Sequence, residues 1–320
     1  MKFQERLKIW KRAWARNALF GVTGIIKKIS YATMRRLTHI FFVMTYPFLI
    51  RQKRIAAESL AIAFGGKKDK KEVDKIFHDC FWNVASGMME LMYYMEHPEW
   101  ISRMAYFEGK EHLDAALRQG KGAIAVSAHF GNFPLMLLRC VQEGYKTNAI
   151  IRPTRDQEIE KYFFNLRTQL GLNTVYSMPR KQCVDTSLRV LRNNEILFIP
   201  LDQNFGSQGG VFVDFFGQKA ATATGPVIFA MRTKAPIIPM FVIREKDDRH
   251  RIIVEPPLEL EYKENDRETL EVNTARITQL IERYIRRYPQ EWGWMHRRWK
   301  HQPMPAETVK TAATTQEVTL

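Results

Sequence analysis

Between residues 122 and 254 short apolar runs alternate with longer segments of helical periodicity, an order that few architectures accept. The runs are 122–128, Thr147–Ile151, Asn173–Tyr176, 196–201, Ile237–Ile243 and Arg251–Val254, each too short for a stable helix and rich enough in aliphatic residues for a buried strand. Helical spacing fills the gaps at Leu135–Glu143, Gln157–Leu170, Lys181–Arg192 and Gly225–Arg232. Longer helices are expected before and after, over 71–96 and about Thr269–Tyr288. Strands separated by helices of this length pair in parallel, with the helices covering the sheet. The expected class is α/β, a mostly parallel central sheet flanked by helices. With 320 residues and 45% hydrophobic content, the chain can bury one large core plus an appended helical segment.

The first of these runs ends in Ala128-His129-Phe130-Gly131-Asn132-Phe133-Pro134. A histidine where a buried strand ends is held by a rigid backbone and exposed at the sheet edge, where open α/β folds bind ligands. Its imidazole titrates near neutral pH and can take a proton from a hydroxyl that attacks a carbonyl. The alternative is a structural histidine satisfied by a backbone carbonyl. Ser127, two positions earlier, points the same way on an ideal strand but is a poor candidate nucleophile. Loop amides around Gly131 and Asn132 are candidate donors to an oxyanion.

Arg152 follows a second apolar run and is fixed by Pro153, so its guanidinium is positioned to grip phosphate as a bidentate fork; a sheet-edge salt bridge is the plainer reading. Gly206-Ser207-Gln208-Gly209-Gly210 lacks the lysine and serine or threonine of a nucleotide loop and reads as a flexible cover. Phe212, Val213, Phe215 and Phe216 beside it read as groove walls, and Thr222 and Thr224 as caps of the next helix. Trp292, Trp294 and Trp299 interleave with Arg297, Arg298 and Lys300, a mixture that suits single-stranded nucleic acid or a lipid headgroup surface. Met88, Met89, Met92 and Met95 could line an acyl chain, although methionine at helical spacing usually packs a core.

Net charge is +15, which calls for an anionic partner: nucleic acid, an anionic membrane or a phosphorylated substrate. Residues 1–54 carry thirteen Lys or Arg and one acid, Glu5. Within them Phe3, Leu7, Trp10 and Trp14 share one helical face while Lys2, Arg6, Lys8, Lys11, Arg12 and Arg16 occupy the rest, the pattern of a helix lying in a membrane surface. The apolar stretch Ile40–Ile50 contains a proline and is half the length of a membrane span, so it reads as interfacial, re-entrant or part of an acyl tunnel. No secretory cleavage pattern is present in the sequence, and Cys80, Cys140 and Cys183 show neither disulfide nor zinc spacing. The organisation expected is a membrane-associating segment over 1–60, a catalytic domain over 61–302 and a polar, threonine-rich, disordered tail over 303–320.

His129-Phe-Gly-Asn resembles the first motif of the lipid A biosynthesis acyltransferases, part of the lysophospholipid acyltransferase superfamily. Ile150-Ile151-Arg152-Pro153 resembles their second block. Leu201-Asp202-Gln203-Asn204 through Gly210–Gly217 to Ala220–Gly225 resembles the third, and Pro289–Trp292 with Trp294–Lys300 the last. The four blocks occur in order across residues 125–300. The resemblance implies a fatty acyl chain passed from a thioester, with acyl carrier protein or CoA as carrier, to a lipid A precursor or related glycolipid. It also implies residence at the cytoplasmic face of the cell inner membrane. His129 would be the general base, with no cofactor, no metal and no nucleic acid. Arg152, Gly131, Asn132 and Gln203 are the candidate substrate contacts. One position departs: Pro134 stands where the family carries the acid that orients the histidine. Asp202, expected at the same sheet edge, is the candidate replacement; its alternative is a turn or cap residue. If nothing replaces the acid, the chain reads as an impaired lipid-binding or scaffold protein of the same fold. A lysophospholipid acceptor is a further alternative.

Overall fold

The computed structural model describes residues 3–206 and 210–303, with the side chains of residues 3–9, 11, 12 and 15 outside the described set. The expected tail from 304 onward and Ser207, Gln208 and Gly209 of the glycine-rich loop therefore lie outside it, as do the side chains of Phe3, Leu7, Arg6, Lys8, Lys11 and Arg12 and the whole of Lys2.

Four helices open the chain: α1 (Phe3–Ile26), α2 (Tyr31–Thr45), α3 (Ile50–Phe64) and α4 (Lys70–Glu96). The first three pack on α4, the longest element, which Asp69 starts with a reciprocal capping box to Glu72. A single turn, α5 (Ile101–Met104), leads to β1 (Ala105–Glu108) and α6 (Lys110–Arg118). Then come β2 (Ala123–Ser127), α7 (Phe133–Gln142), β3 (Thr147–Ile151), α8 (Gln157–Gln169), β4 (Leu172–Tyr176), α9 (Arg180–Arg192) and β5 (Ile196–Pro200). A hairpin of β6 (Gly210–Phe215) and β7 (Gln218–Ala223) precedes α10 (Gly225–Thr233). The chain closes with β8 (Ile237–Arg244), β9 (His250–Val254) and α11 (Asp266–Arg287).

Seven strands form one sheet in the order β1-β9-β8-β2-β5-β3-β4. The five from β8 to β4 are mutually parallel; β9 runs antiparallel to β8, and β1 parallel to β9. The α/β class is thus as expected. The alternation of β2 shows how its two faces are filled. Ile124 and Val126 enter a core shared with α10, α11 and the hairpin, while Ala123 and Ala125 enter the core beneath α7.

This topology creates a crevice at one place. From β2 the chain crosses over β5 by way of α7 to reach β3. From β5 it returns over β2 by way of the hairpin and α10 to reach β8. The two connections leave adjacent strand ends in opposite directions and cover opposite faces, the arrangement that opens a binding cleft at the carboxyl ends of parallel strands.

Two readings are corrected here. Ile40–Ile50 is neither re-entrant nor one piece: it is the last turns of α2, a short 3-10 turn at Tyr46–Phe48 that Pro47 starts, and the beginning of α3. On α4, Val84 and Met88 belong to the expected apolar face yet are exposed, 44% and 66%, while Met92 and Met95 are buried as core.

Candidate active site

His129 and Asp202 stand just beyond the ends of the neighbouring strands β2 and β5. Parallel pairing in register, Ser127 beside Pro200, brings them level, and the Leu201 amide donates to the Ser127 carbonyl to seal the exit. His129 Nδ1 lies 2.8 Å from Asp202 Oδ1. The other carboxylate oxygen accepts the indole N–H of Trp292 at 2.8 Å. Asp202 is 3% exposed, whereas the His129 side chain is 36% exposed, so the pair has one buried and one open end.

Burial alone would lower the His129 pKa, but the charge and hydrogen bond of Asp202 outweigh it and hold the imidazole above its ordinary 6.5. Burial likewise pushes Asp202 up, and the His129 charge, its hydrogen bond and the Trp292 N–H together bring the carboxyl below the usual range. An ionised carboxylate on Nδ1 fixes the tautomer in which Nδ1 carries the proton and Nε2 presents its lone pair. At Nε2 stands the exposed Gln203 carboxamide, 3.1 Å away. The ring packs edge-on against Phe133, which stacks on Phe198.

Pro134 lies in the first turn of α7, where a missing backbone N–H costs nothing because that N–H has no helical partner. The orienting carboxylate is therefore supplied across the sheet, from the end of β5. Arg152 follows β3, on the far side of β5 from β2, which places it about 10 Å from the His129 strand along the same edge at ordinary strand spacing. It is exposed and makes no salt bridge among the described residues.

Gly131 and Asn132 do not serve as expected. The Gly131 amide donates to the Glu291 carbonyl at 2.8 Å. Its φ is +56°, and a Cβ would meet the Val242 carbonyl oxygen at 2.1 Å, so glycine is required for close passage of the chain. Asn132 caps α7, accepting from the Leu135 amide, and donates to the Gly87 carbonyl of α4. Both residues build the loop, and the Gly131 amide is spent on Glu291. Ser127 is 1% exposed and its hydroxyl has no partner, so no base can activate it. All three cysteines are buried, with the Cys80 and Cys140 thiols pushed up to about 12 by desolvation.

The carboxy-terminal block is the floor of the site and no headgroup surface. Trp292, Trp294 and Arg298 are 1%, 0% and 0% exposed, and Trp299 is buried beside them. Each indole N–H finds an acceptor inside the molecule: Asp202, the Pro289 carbonyl and the Phe215 carbonyl. Arg298 reaches the carbonyls of Ala221 and Gln203 and the Thr222 hydroxyl; burial brings its pKa down to about 10. The Asn204 amide donates to His296 Nε2. The Asn204 carboxamide also meets His301 Nδ1 at 2.6 Å, so residues 202–204 are pinned from below by four side chains of one short segment, Trp292, His296, Arg298 and His301. Phe215 and Phe216 pack into this floor and line no groove; Thr224 takes the cap position of α10 without a side-chain bond. The interior role of this segment was hidden in the sequence, because tryptophan beside arginine serves a core and a surface equally well. Most of the acceptors that decide between them, Asp202 past β5, Phe215 on β6 and Ala221 and Thr222 on β7, lie more than seventy residues away.

Across residues 1–301 the sequence matches the bacterial lipid A biosynthesis acyltransferases. It is 27% identical to the lipid A biosynthesis lauroyltransferase of Escherichia coli K12, over 91% of this chain and 93% of that protein. It is 23% identical to the palmitoleoyltransferase of the same organism, over 92% and 93%. A phosphatidylinositol mannoside acyltransferase of Mycobacterium tuberculosis is 28% identical over 41% of this chain and 42% of its own length. A match of this extent, over a sheet whose crevice holds a histidine–carboxylate pair, makes the chain a member of the bacterial lipid A biosynthesis acyltransferase family, an O-acyltransferase.

Proposed function

We propose that the protein transfers a fatty acyl chain from an acyl thioester, carried on acyl carrier protein or CoA, to a hydroxyl of a lipid A precursor or related glycolipid. The observation that carries the reading is the chain Trp292–Asp202–His129, buried at one end and open at the other, in a member of this family. His129 Nε2 takes the hydroxyl proton as the oxygen attacks the thioester carbonyl. A C–O bond forms, the tetrahedral oxyanion collapses and the C–S bond breaks. The imidazolium returns its proton to the departing thiolate, so no acyl-enzyme is formed. Asp202 stabilises the imidazolium throughout. Gln203 occupies the position of the acceptor hydroxyl at Nε2 and yields it when the acceptor binds; its amide then lies within reach of the oxyanion.

The enzyme works at the cytoplasmic face of the inner membrane, held there by its helical start. Among the described residues no helix is long and apolar enough to cross a bilayer. Trp10 and Trp14 of α1, Phe41 and Met44 of α2, Phe48 and Ile50 are exposed, 65% or more each, amid Lys28, Arg36, Arg51 and Arg54. Val84 and Met88 of α4 are exposed as well, and the buried Gly87 between them and the sheet accepts from the Asn132 carboxamide, three residues from His129.

The test is transfer from acyl carrier protein or CoA thioesters by the purified protein, with His129→Ala as control. Loss of the base should lower the rate by about 10²–10⁴-fold. Equal rates for the two proteins would remove His129 from the chemistry. In a deletion strain one acylated glycolipid species should disappear from the lipid profile.

A further inference from the structure

The open end of the His129–Asp202 pair is closed by a side chain of the same molecule. The His129 side chain is 36% exposed at the sheet edge, yet its outward nitrogen Nε2 meets the Gln203 carboxamide nitrogen at 3.1 Å. With the Nδ1 proton held by Asp202, Nε2 presents a lone pair, so the carboxamide donates to it through its NH2 group. The backbone under Gln203 is fixed. Asp202 before it is bound to Trp292 and His129, the Gln203 carbonyl accepts from Arg298 at 3.4 Å, and the Asn204 amide after it donates to His296 at 3.0 Å. The Gln203 side chain is free by contrast: it is exposed and makes no other hydrogen bond among the described residues.

An exposed base beside a thioester carbonyl serves two nucleophiles, an acceptor hydroxyl and water, and water is always present. Hydrolysis follows the same course as transfer. Nε2 takes a proton from water, the C–O bond forms, the C–S bond breaks and the thiolate regains the proton, leaving a fatty acid and a thiol. A water that reaches Nε2 must first displace a donated hydrogen bond, and it brings no other contacts with which to do so. A lipid hydroxyl arrives with the binding energy of the rest of its molecule. We propose that Gln203 sets the choice of nucleophile, capping the His129 lone pair against water and yielding it to a lipid-borne hydroxyl. The side chain swings about its own χ angles on an anchored backbone, so no loop has to open. This rests on acyl transfer with His129 as the base.

Gln203 is exposed, so Gln203→Ala and Gln203→Met should leave the melting temperature unchanged. Methionine keeps the length and bulk and removes the donor. Two measurements on the full chain separate the cap from the chemistry. The first is carbethoxylation of His129 by diethyl pyrocarbonate, read by peptide mass spectrometry with the exposed His39 as internal reference. At the high-pH plateau both variants should react about threefold to tenfold faster than the wild type, the size of one net hydrogen bond. A methionine variant as slow as the wild type overturns the hydrogen-bonded cap. The second is the ratio of free fatty acid to acylated lipid A precursor formed from dodecanoyl-CoA. That ratio should rise by a similar factor in both variants, since any help the Gln203 amide gives the oxyanion is common to the two reactions and cancels. Thiol release that needs His129, with a ratio unchanged in both variants, overturns the guard and leaves the transferase standing. Thiol release that His129→Ala does not lower sinks the transfer reading instead, and the carbethoxylation rates then decide the cap alone.

Discussion

Both oxygens of the Asp202 carboxylate are taken, one by the His129 ring and one by a buried indole. That leaves the group no freedom to rotate away and no water to compete for it. The electrostatic consequence is measurable. As the proposed base, His129 acts only when unprotonated, and Asp202 raises its pKa, so the acid limb of the rate profile should fall above the ordinary histidine value of 6.5. Asp202→Asn deletes the charge and leaves the burial that lowers the pKa. The limb should then move to lower pH while the maximal rate drops by about 10²–10⁴-fold, because the amide stabilises neither the imidazolium nor the required tautomer. A limb that stays in place in the asparagine variant would show that the two side chains do not share a charge. The residue was findable in the sequence as an acid at the end of an apolar run. Its bond to Trp292 was not, since nothing local to either residue encodes the other.

At the scale of elements, the join between the opening helices and the sheet is ionic. Glu90 of α4 is fully buried and accepts from both terminal nitrogens of Arg244 at the end of β8, at 2.8 and 2.7 Å, and from Arg35 of α2 at 3.0 Å. His250 of β9 lies 3.3 Å away, and Arg35 continues to Asp248 at 2.6 Å. Burial opposes ionisation of Glu90, but the His250 bond and the Arg244 charge overcome it and hold the carboxyl near 2. Removing Glu90 leaves Arg244, only 9% exposed, with the open Asp248 as its remaining ion-pair partner. Glu90→Ala should therefore cost about 3–5 kcal/mol, read from denaturant unfolding. A loss below about 1 kcal/mol, the size of an exposed pair, would mean that water reaches the cluster. Elements of strong periodicity, such as Gln157–Leu170 or Thr147–Ile151, are legible within a residue or two. The hairpin β6–β7 and the strand β1 are not, because an Ala-Thr run and a four-residue strand carry too little hydrophobic contrast. The ionic join is equally silent, since its members sit up to 215 positions apart in the chain and look like ordinary surface charges.

On the whole molecule, apolar exposure among the described residues is concentrated at the helical start, while the sheet carries His129 and Asp202. The basic, aromatic character of residues 1–54 was plain from composition; which side chains stay uncovered depended on how α2 rolls over α4, with Phe42 turned in against Phe81 and Trp82. Phe48 and Ile50 are 81% and 77% exposed at the corner between helices. Each contributes about 1.5–3 kcal/mol when withdrawn from water. The double variant Phe48→Asp, Ile50→Asp should weaken sedimentation with anionic phospholipid vesicles by about tenfold or more, with far-ultraviolet circular dichroism unchanged. Retained vesicle binding would sink the assignment of this corner to the bilayer.

His129 and Asp202 follow strands that are neighbours in space but separated in the chain by the whole of α7, β3, α8, β4 and α9. A nascent or clipped polypeptide that ends before residue 196 lacks the partner altogether, and a slip of β5 by one position would turn Asp202 to the opposite face. Turnover thus doubles as a proofreading signal: only a chain that has threaded its last central strand between two earlier ones can act on lipid.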